Sequence, residues 1–140
     1  MLRVQVMNGE INRSATKDEI IKMQNILENA LIDGSIGLST GLAYPAANDA
    51  PTEEIIELAK VLKKHDGIFT THMRNEGDNL VESVNETIKI GKLADVRTVI
   101  SHHKCAGRSN WGKSKETLKI IKEAKKKQHI DLDCYPYTAS

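Results

Sequence analysis

Cysteine is scarce in this chain, with only Cys105 and Cys134 present. Two thiols cannot build a disulfide framework, and they point to a reducing, cytoplasmic setting. Aromatic residues make up 4% of the sequence, with one Phe and one Trp, too few for a base-stacking platform. No apolar run approaches the ~18 residues that a membrane-spanning helix needs, and the first ten residues lack the apolar core of a secretory signal. An excess of one charge is lacking too. Twenty Lys and Arg against 19 Asp and Glu leave a formal charge of +1, so no net field draws in nucleic acid or an anionic membrane. The run Lys125-Lys126-Lys127 closes a helical pattern, where cations suit the helix dipole.

What remains is the composition of a globular domain: 39% hydrophobic and 28% charged over 140 residues. Short β-branched runs alternate with long amphipathic segments. The strand candidates are 36–40, 68–72, 98–102 and 130–135. Between them, Thr16 and Glu19 form a capping-box pattern ahead of Ile20, Met23, Leu27 and Leu31. Thr52 is placed to cap a second helix that carries Ile55, Leu58, Ala59 and Leu62 at helical spacing. A third helix follows Asp78, with Leu80, Val81, Val84 and Ile88 on one stripe, and a fourth starts near Ser114.

Strand starts at Ile36, Ile68, Val99 and Ile130 are 32, 31 and 31 residues apart. Alternation at this period predicts parallel βαβ units. A (β/α)8 barrel averages about 31 residues per unit, and an open flavodoxin-like sheet can show the same period. The expected class is therefore α/β, a partial TIM-type (β/α)8 barrel of about four consecutive units. A closed barrel needs eight, so residues 1–140 are expected to form a single segment from the middle of a larger one. Open strand edges and the apolar strand residues Ile36, Leu38, Ile68, Val99, Ile100, Ile130 and Leu132 then predict pairing, either with a second copy or with the rest of the barrel.

In such folds chemistry gathers at the carboxyl ends of strands. Two successive strands end in histidine, at His72 and His102, one repeat apart. Parallel strands lie about 4.8 Å apart, so these imidazoles can converge on one zinc ion, half of the usual set of ligands. His103 points away from His102 on an extended strand, while Lys104 returns to the same side, where its ammonium can meet an anionic group. Cys105 reads as a packing residue, and His65 and His129 as structural or solvent-facing. The loop 106–112 carries the single Trp, Trp111, as a pocket wall. Tyr135 ends the last strand, where its phenol can bond a substrate. Gly34, Gly37 and Gly41 form no phosphate loop, because no Gly-Lys-Ser/Thr follows them.

Four strings carry a resemblance. They are Gly37-Leu38-Ser39-Thr40-Gly41-Leu42 with Tyr44-Pro45, Thr71-His72-Met73-Arg74-Asn75-Glu76-Gly77, Ser101-His102-His103-Lys104-Cys105-Ala106-Gly107-Arg108 with Asn110-Trp111-Gly112, and Asp133-Cys134-Tyr135-Pro136-Tyr137-Thr138. In order and spacing they resemble the N-acyl-D-amino-acid deacylases (D-aminoacylases) of the amidohydrolase superfamily. The resemblance spans nearly all of this chain and a minor part of a family member.

The resemblance implies metal-dependent hydrolysis of N-acyl-D-amino acids, with one or two Zn2+ ions in the complete enzyme. It implies that His72 and His102 are metal ligands on the fifth and sixth barrel strands. It further implies that Lys104 and Tyr135 hold the substrate carboxylate and that Tyr135 also polarises the scissile carbonyl. It places a His-x-His pair, a metal-binding cysteine and the general-base aspartate outside residues 1–140, so no catalytic base is expected here and the chain alone should not turn over. Cys105 does not match the family cysteine, and His103 stands where the family more often has an aliphatic residue. The expected partner is a small N-acyl amino acid, with no nucleic acid and no membrane. The alternatives are another amidohydrolase, of the dihydroorotase or hydantoinase type, and a non-catalytic metal-binding piece of a split gene.

Overall fold

The computed structural model describes residues 2–137. The chain alternates α and β throughout. A short helix α1 (Leu2–Val6) precedes α2 (Lys17–Ile32), β1 (Gly37–Gly41), α3 (Thr52–Ala59), β2 (Ile68–His72), α4 (Leu80–Ala94), β3 (Arg97–Ile100), α5 (Ser114–Lys125) and β4 (Ile130–Leu132). A 3-10 segment, Lys60–His65, extends α3 toward β2. All four strands are parallel and lie in chain order, β1-β2-β3-β4. That order separates the two architectures left open by the repeat length. A doubly wound sheet reverses its strand order at a switch point and carries helices on both faces. Here each strand sits beside the next one in sequence, as in a barrel wall.

The helices form one layer in the same sequential order, with α2 against α3, α3 against α4, and α4 against α5. Each is specified locally. The capping box at Thr16 forms, with Glu19 N–H donating to Thr16 Oγ1 at 3.3 Å and Thr16 N–H donating to Glu19 at 2.8 Å. The predicted Thr52 cap does not form. Pro51 is the N-cap, and the Thr52 hydroxyl donates instead to Glu86 on α4 at 2.8 Å. Gly91 lets α4 lie close on β3: a Cβ there would stand 2.3 Å from Thr98 Oγ1.

Two apolar clusters fill the space between sheet and helices. One joins Leu27, Leu31, Ile55, Leu62 and Ile90 to Phe69 of β2. The other joins Met73, Leu80, Val84 and Ile121 to Ile100 and Ile130. The strand residues behind the expected self-association therefore divide. Ile100 and Ile130 are fully buried under the helices, and Leu38 and Leu132 pack against the same clusters. In register, the opposite face presents Gly37, Ser39, Ile68, Thr70, Arg97, Val99 and Asp131. That face is mostly small or polar, with only Ile68 and Val99 large and apolar on it. Ile36, which precedes β1, is 82% exposed.

The N-terminal segment is locked onto α3 by a buried ion pair. Arg3 and Glu54 bond directly with side chains 6% and 1% exposed. Arg3 also donates to the carbonyls of Ile11, Arg13 and Ala46, and Glu54 accepts from Ala15 N–H at 3.0 Å. Every charge in the pair is thus matched, as burial requires.

Candidate metal centre

His72 is the last residue of β2 and lies in register with Gly41 of β1. Strand alternation puts it on the face opposite the helices, together with Ile68 and Thr70. β3 stops earlier than its sequence suggests. Ile100 is its last residue, and His102 takes a left-handed conformation, φ +42°, uncommon for a residue with a Cβ. β4 likewise ends at Leu132 instead of running to Tyr135. The left-handed turn replaces the extended path expected through Lys104, and it is pinned by Asp133, whose carboxylate accepts from His102 N–H at 2.5 Å.

The four residues singled out in the sequence come together. The rings of His72 and His102 lie 4.6 Å apart, edge to face at 74°. Tyr135 stands 5.5 Å from the His102 ring, and Lys104 Nζ lies 5.0 Å from the Tyr135 ring centre. His103 points away, as expected: its Nε2 bonds Thr117 Oγ1 of α5 at 2.9 Å. Burial holds His103 below the ordinary histidine value. Cys105 packs against the second apolar cluster, and burial pushes its thiol up, so it fits the packing role. His65 Nε2 lies 3.6 Å from the Glu28 carboxylate on α2 without a hydrogen bond. Trp111 is 72% exposed and stands out in solvent instead of forming a wall. The work of its loop falls on buried Asn110, which donates to Asp78 at 3.0 Å and to the Ala106 carbonyl at 2.8 Å.

Two residues were missed in the sequence. The first is Glu76, whose carboxylate lies 2.8 and 2.9 Å from Lys104 Nζ, 3.0 Å from His102 Nδ1 and 3.7 Å from His72 Nε2. Among the described residues, His72, Glu76 and His102 offer a set of donor atoms all within 4.8 Å of one another. The second is Tyr44, whose hydroxyl meets His72 Nδ1 at 3.2 Å. Its loop is fastened by Arg74, which donates to the carbonyls of Asn48 and Ala50 and pairs with Glu86 at 2.8 Å. A Glu four residues after His72 and just before Gly77 was the available signal for the first.

Burial keeps His72 below the ordinary histidine value. Glu76 opposes that shift, while His102 and Lys104 add to it. With its Nδ1–H donated to the Tyr44 hydroxyl, a neutral imidazole presents Nε2 as the ligand nitrogen, the state a divalent metal requires. The donor set therefore fits a metal ion.

Over 138 residues the chain is 49% identical to the D-aminoacylase of Alcaligenes xylosoxydans xylosoxydans, covering 99% of this chain and 28% of that protein. The N-acyl-D-aspartate deacylase of the same organism is 45% identical over 140 residues, with the same coverage. The chain is homologous to the D-aminoacylases. It spans 28% of the length of these relatives. No family model matches the chain.

Solved structures agree. A D-aminoacylase that defines a subset of amidohydrolases superposes with a TM-score of 0.96 at 50% identity, covering 99% of this chain and 29% of its own. A further D-aminoacylase structure is described as having a binuclear metal centre. The N-acyl-D-glutamate deacylase of Bordetella bronchiseptica, in complex with zinc and a phosphonate mimic of the tetrahedral intermediate, superposes at 0.93 with 39% identity, covering 97% and 29%. The four-stranded sheet is a partial TIM-type barrel of the amidohydrolase kind.

Proposed function

We propose that the chain carries the part of an N-acyl-D-amino-acid deacylase site that binds the metal and the substrate carboxylate. The observation that bears most weight is the meeting of His72 and His102 at adjacent strand ends, with Lys104 and Tyr135 around them. Relatives named D-aminoacylase, N-acyl-D-aspartate deacylase and N-acyl-D-glutamate deacylase support the substrate class. Zinc is the proposed metal, supported by the zinc complex of one neighbour and by the imidazole-rich donor set.

When bound, zinc lowers the pKa of a water and polarises an acyl oxygen. The chain's own residues do the rest of what is proposed here. His72 and His102 hold the ion through neutral imidazoles. Lys104 supplies a cation for the α-carboxylate, and Tyr135 a phenol beside it. The proton-transfer aspartate implied by the resemblance is not assigned to any residue of this chain. A small-molecule site in a reducing cytoplasm completes the reading.

Titration of the zinc-loaded protein with N-acetyl-D-amino acids tests it. A hydrogen bond to a charged group is worth about 1.5–3 kcal/mol, so Lys104→Met should weaken ligand binding about tenfold or more. Equal binding by wild type and Lys104→Met would remove Lys104 from the site.

A further inference from the structure

Glu76 touches two residues to which different tasks have been given. One oxygen is 3.0 Å from His102 Nδ1, and both lie within 2.9 Å of Lys104 Nζ. The carboxylate is 12% exposed, so little water competes for it.

Its position is built, not incidental. The loop after β2 is held to the loop after β3 by Ala106 N–H donating to the Glu76 carbonyl at 2.7 Å. Asn75 Oδ1 accepts from Gly77 and Asn79 N–H at 2.8 and 3.1 Å, closing the turn that carries Glu76. Asn110 then ties Asp78 to Ala106 across the same gap. Six residues in two loops thus hold the backbone that carries this carboxylate.

The two histidines are arranged alike. His72 has Tyr44 at Nδ1 and turns Nε2 toward the centre. His102 has Glu76 at Nδ1, which leaves Nε2 as the nitrogen available to a metal. Metal-binding histidines ordinarily give their other N–H to a carboxylate or carbonyl, which fixes tautomer and ring orientation. We infer that Glu76 is a positioning residue: it holds His102 as the Nδ1–H tautomer and pins the Lys104 ammonium beside it. One side chain then sets both the nitrogen that faces the metal and the cation that faces the substrate. What Nε2 and Lys104 do once placed rests on the proposed function.

Two other arrangements compete. Lys104 Nζ also stands 2.8 Å from His102 Nδ1. If the ammonium donated there, the proton of His102 would sit on Nε2 and block the metal position. The carboxylate is the better acceptor for Lys104, since both partners are charged and two oxygens are offered. Alternatively Glu76 could itself bind the ion, leaving Lys104 free to move.

Nitrogen-15 NMR of histidine in the full 140-residue chain decides among them. It is read metal-free at about pH 8.5, two units above the ordinary histidine value of about 6.5. His102 should carry its proton on Nδ1, and Lys104→Met should leave it there. Glu76→Met should move the tautomer ratio toward Nε2–H by about tenfold or more, the effect of losing one charge-assisted hydrogen bond, and Glu76→Asp should restore part of it. A wild-type proton on Nε2, which needs no variant to observe, would overturn the inference. So would a Glu76→Met chain whose His102 is unchanged. Added zinc should then shift Nε2 of both His72 and His102, and zinc on Nδ1 of His102 also overturns the inference. If zinc shifts neither ring, the proposed function fails, while the tautomer result still decides the role of Glu76.

Discussion

His72 and His102 meet edge to face, 4.6 Å between ring centres, although 30 residues separate them and β3 ends before the second is reached. The contact exists because β2 and β3 are neighbours in register and because the chain turns left-handed at His102. A metal held there depends on both rings. His72→Ala and His102→Ala should each weaken zinc or cobalt binding by more than the about 10- to 100-fold typical of an outer-shell partner. His103→Ala, whose ring faces α5, should leave binding nearly unchanged. Competition against a coloured chelator measures all three, and equal affinities would remove the ligand assignment.

The pair Arg3–Glu54 makes a prediction about stability. Removing one partner of a buried ion pair leaves the other uncompensated, at about 3–5 kcal/mol. Arg3→Met and Glu54→Met should each lower the urea midpoint strongly. The double variant should lose less than the two single losses added together. Additive losses would mean that the two charges do not act as a unit.

Gly91 sits inside α4, where alanine is intrinsically the better helix former by about 1 kcal/mol. Gly91→Ala should nevertheless destabilise, by about 1–3 kcal/mol, the usual cost of overpacking, because the new methyl would run into Thr98. Coupling it with Thr98→Ser, which keeps the hydroxyl, should relieve little. Coupling it with Thr98→Ala should relieve more. Thermal unfolding of the four chains checks the order.

The pH dependence follows from Glu19, whose carboxyl is held down to about 2 by Arg13 first and by the Thr16 amide next. A depressed folded value means that the ionised form stabilises the native state. The contribution is present above the ordinary value of 4.5 and is lost as pH falls from there to about 2. Wild type should therefore lose stability across that window faster than Glu19→Gln, and the two curves should converge near its lower end. Parallel curves would contradict the cap. Thr16→Ala removes the other half of the box and should cost about 1 kcal/mol at neutral pH.

Much of this architecture was legible in the residues. Capping at Thr16, the apolar stripes of α2 to α5 and the repeat near 31 residues follow from short-range preferences, which is why they could be read directly. Strand ends could not. The run from Thr98 to His102 is uniformly suited to a strand, and only the tertiary bond from His102 to Asp133 shows where pairing stops. Glu76 and Tyr44 lay inside recognised strings, yet their partners are 28 residues away, reached by loops whose closure no local pattern encodes. Arg3 and Glu54 are 51 residues apart and equally silent. How the apolar strand residues divide was hidden for a related reason: alternation reveals two faces without saying which one the helices cover.

Zinc-edge X-ray absorption on the zinc-loaded chain tests the central claim most directly. Two imidazole nitrogens at about 2.0–2.1 Å should appear in the wild type, falling to one in His72→Ala and to one in His102→Ala. A first shell of oxygen alone, or one that keeps two imidazoles in both variants, would contradict a metal centre built on these two strand ends.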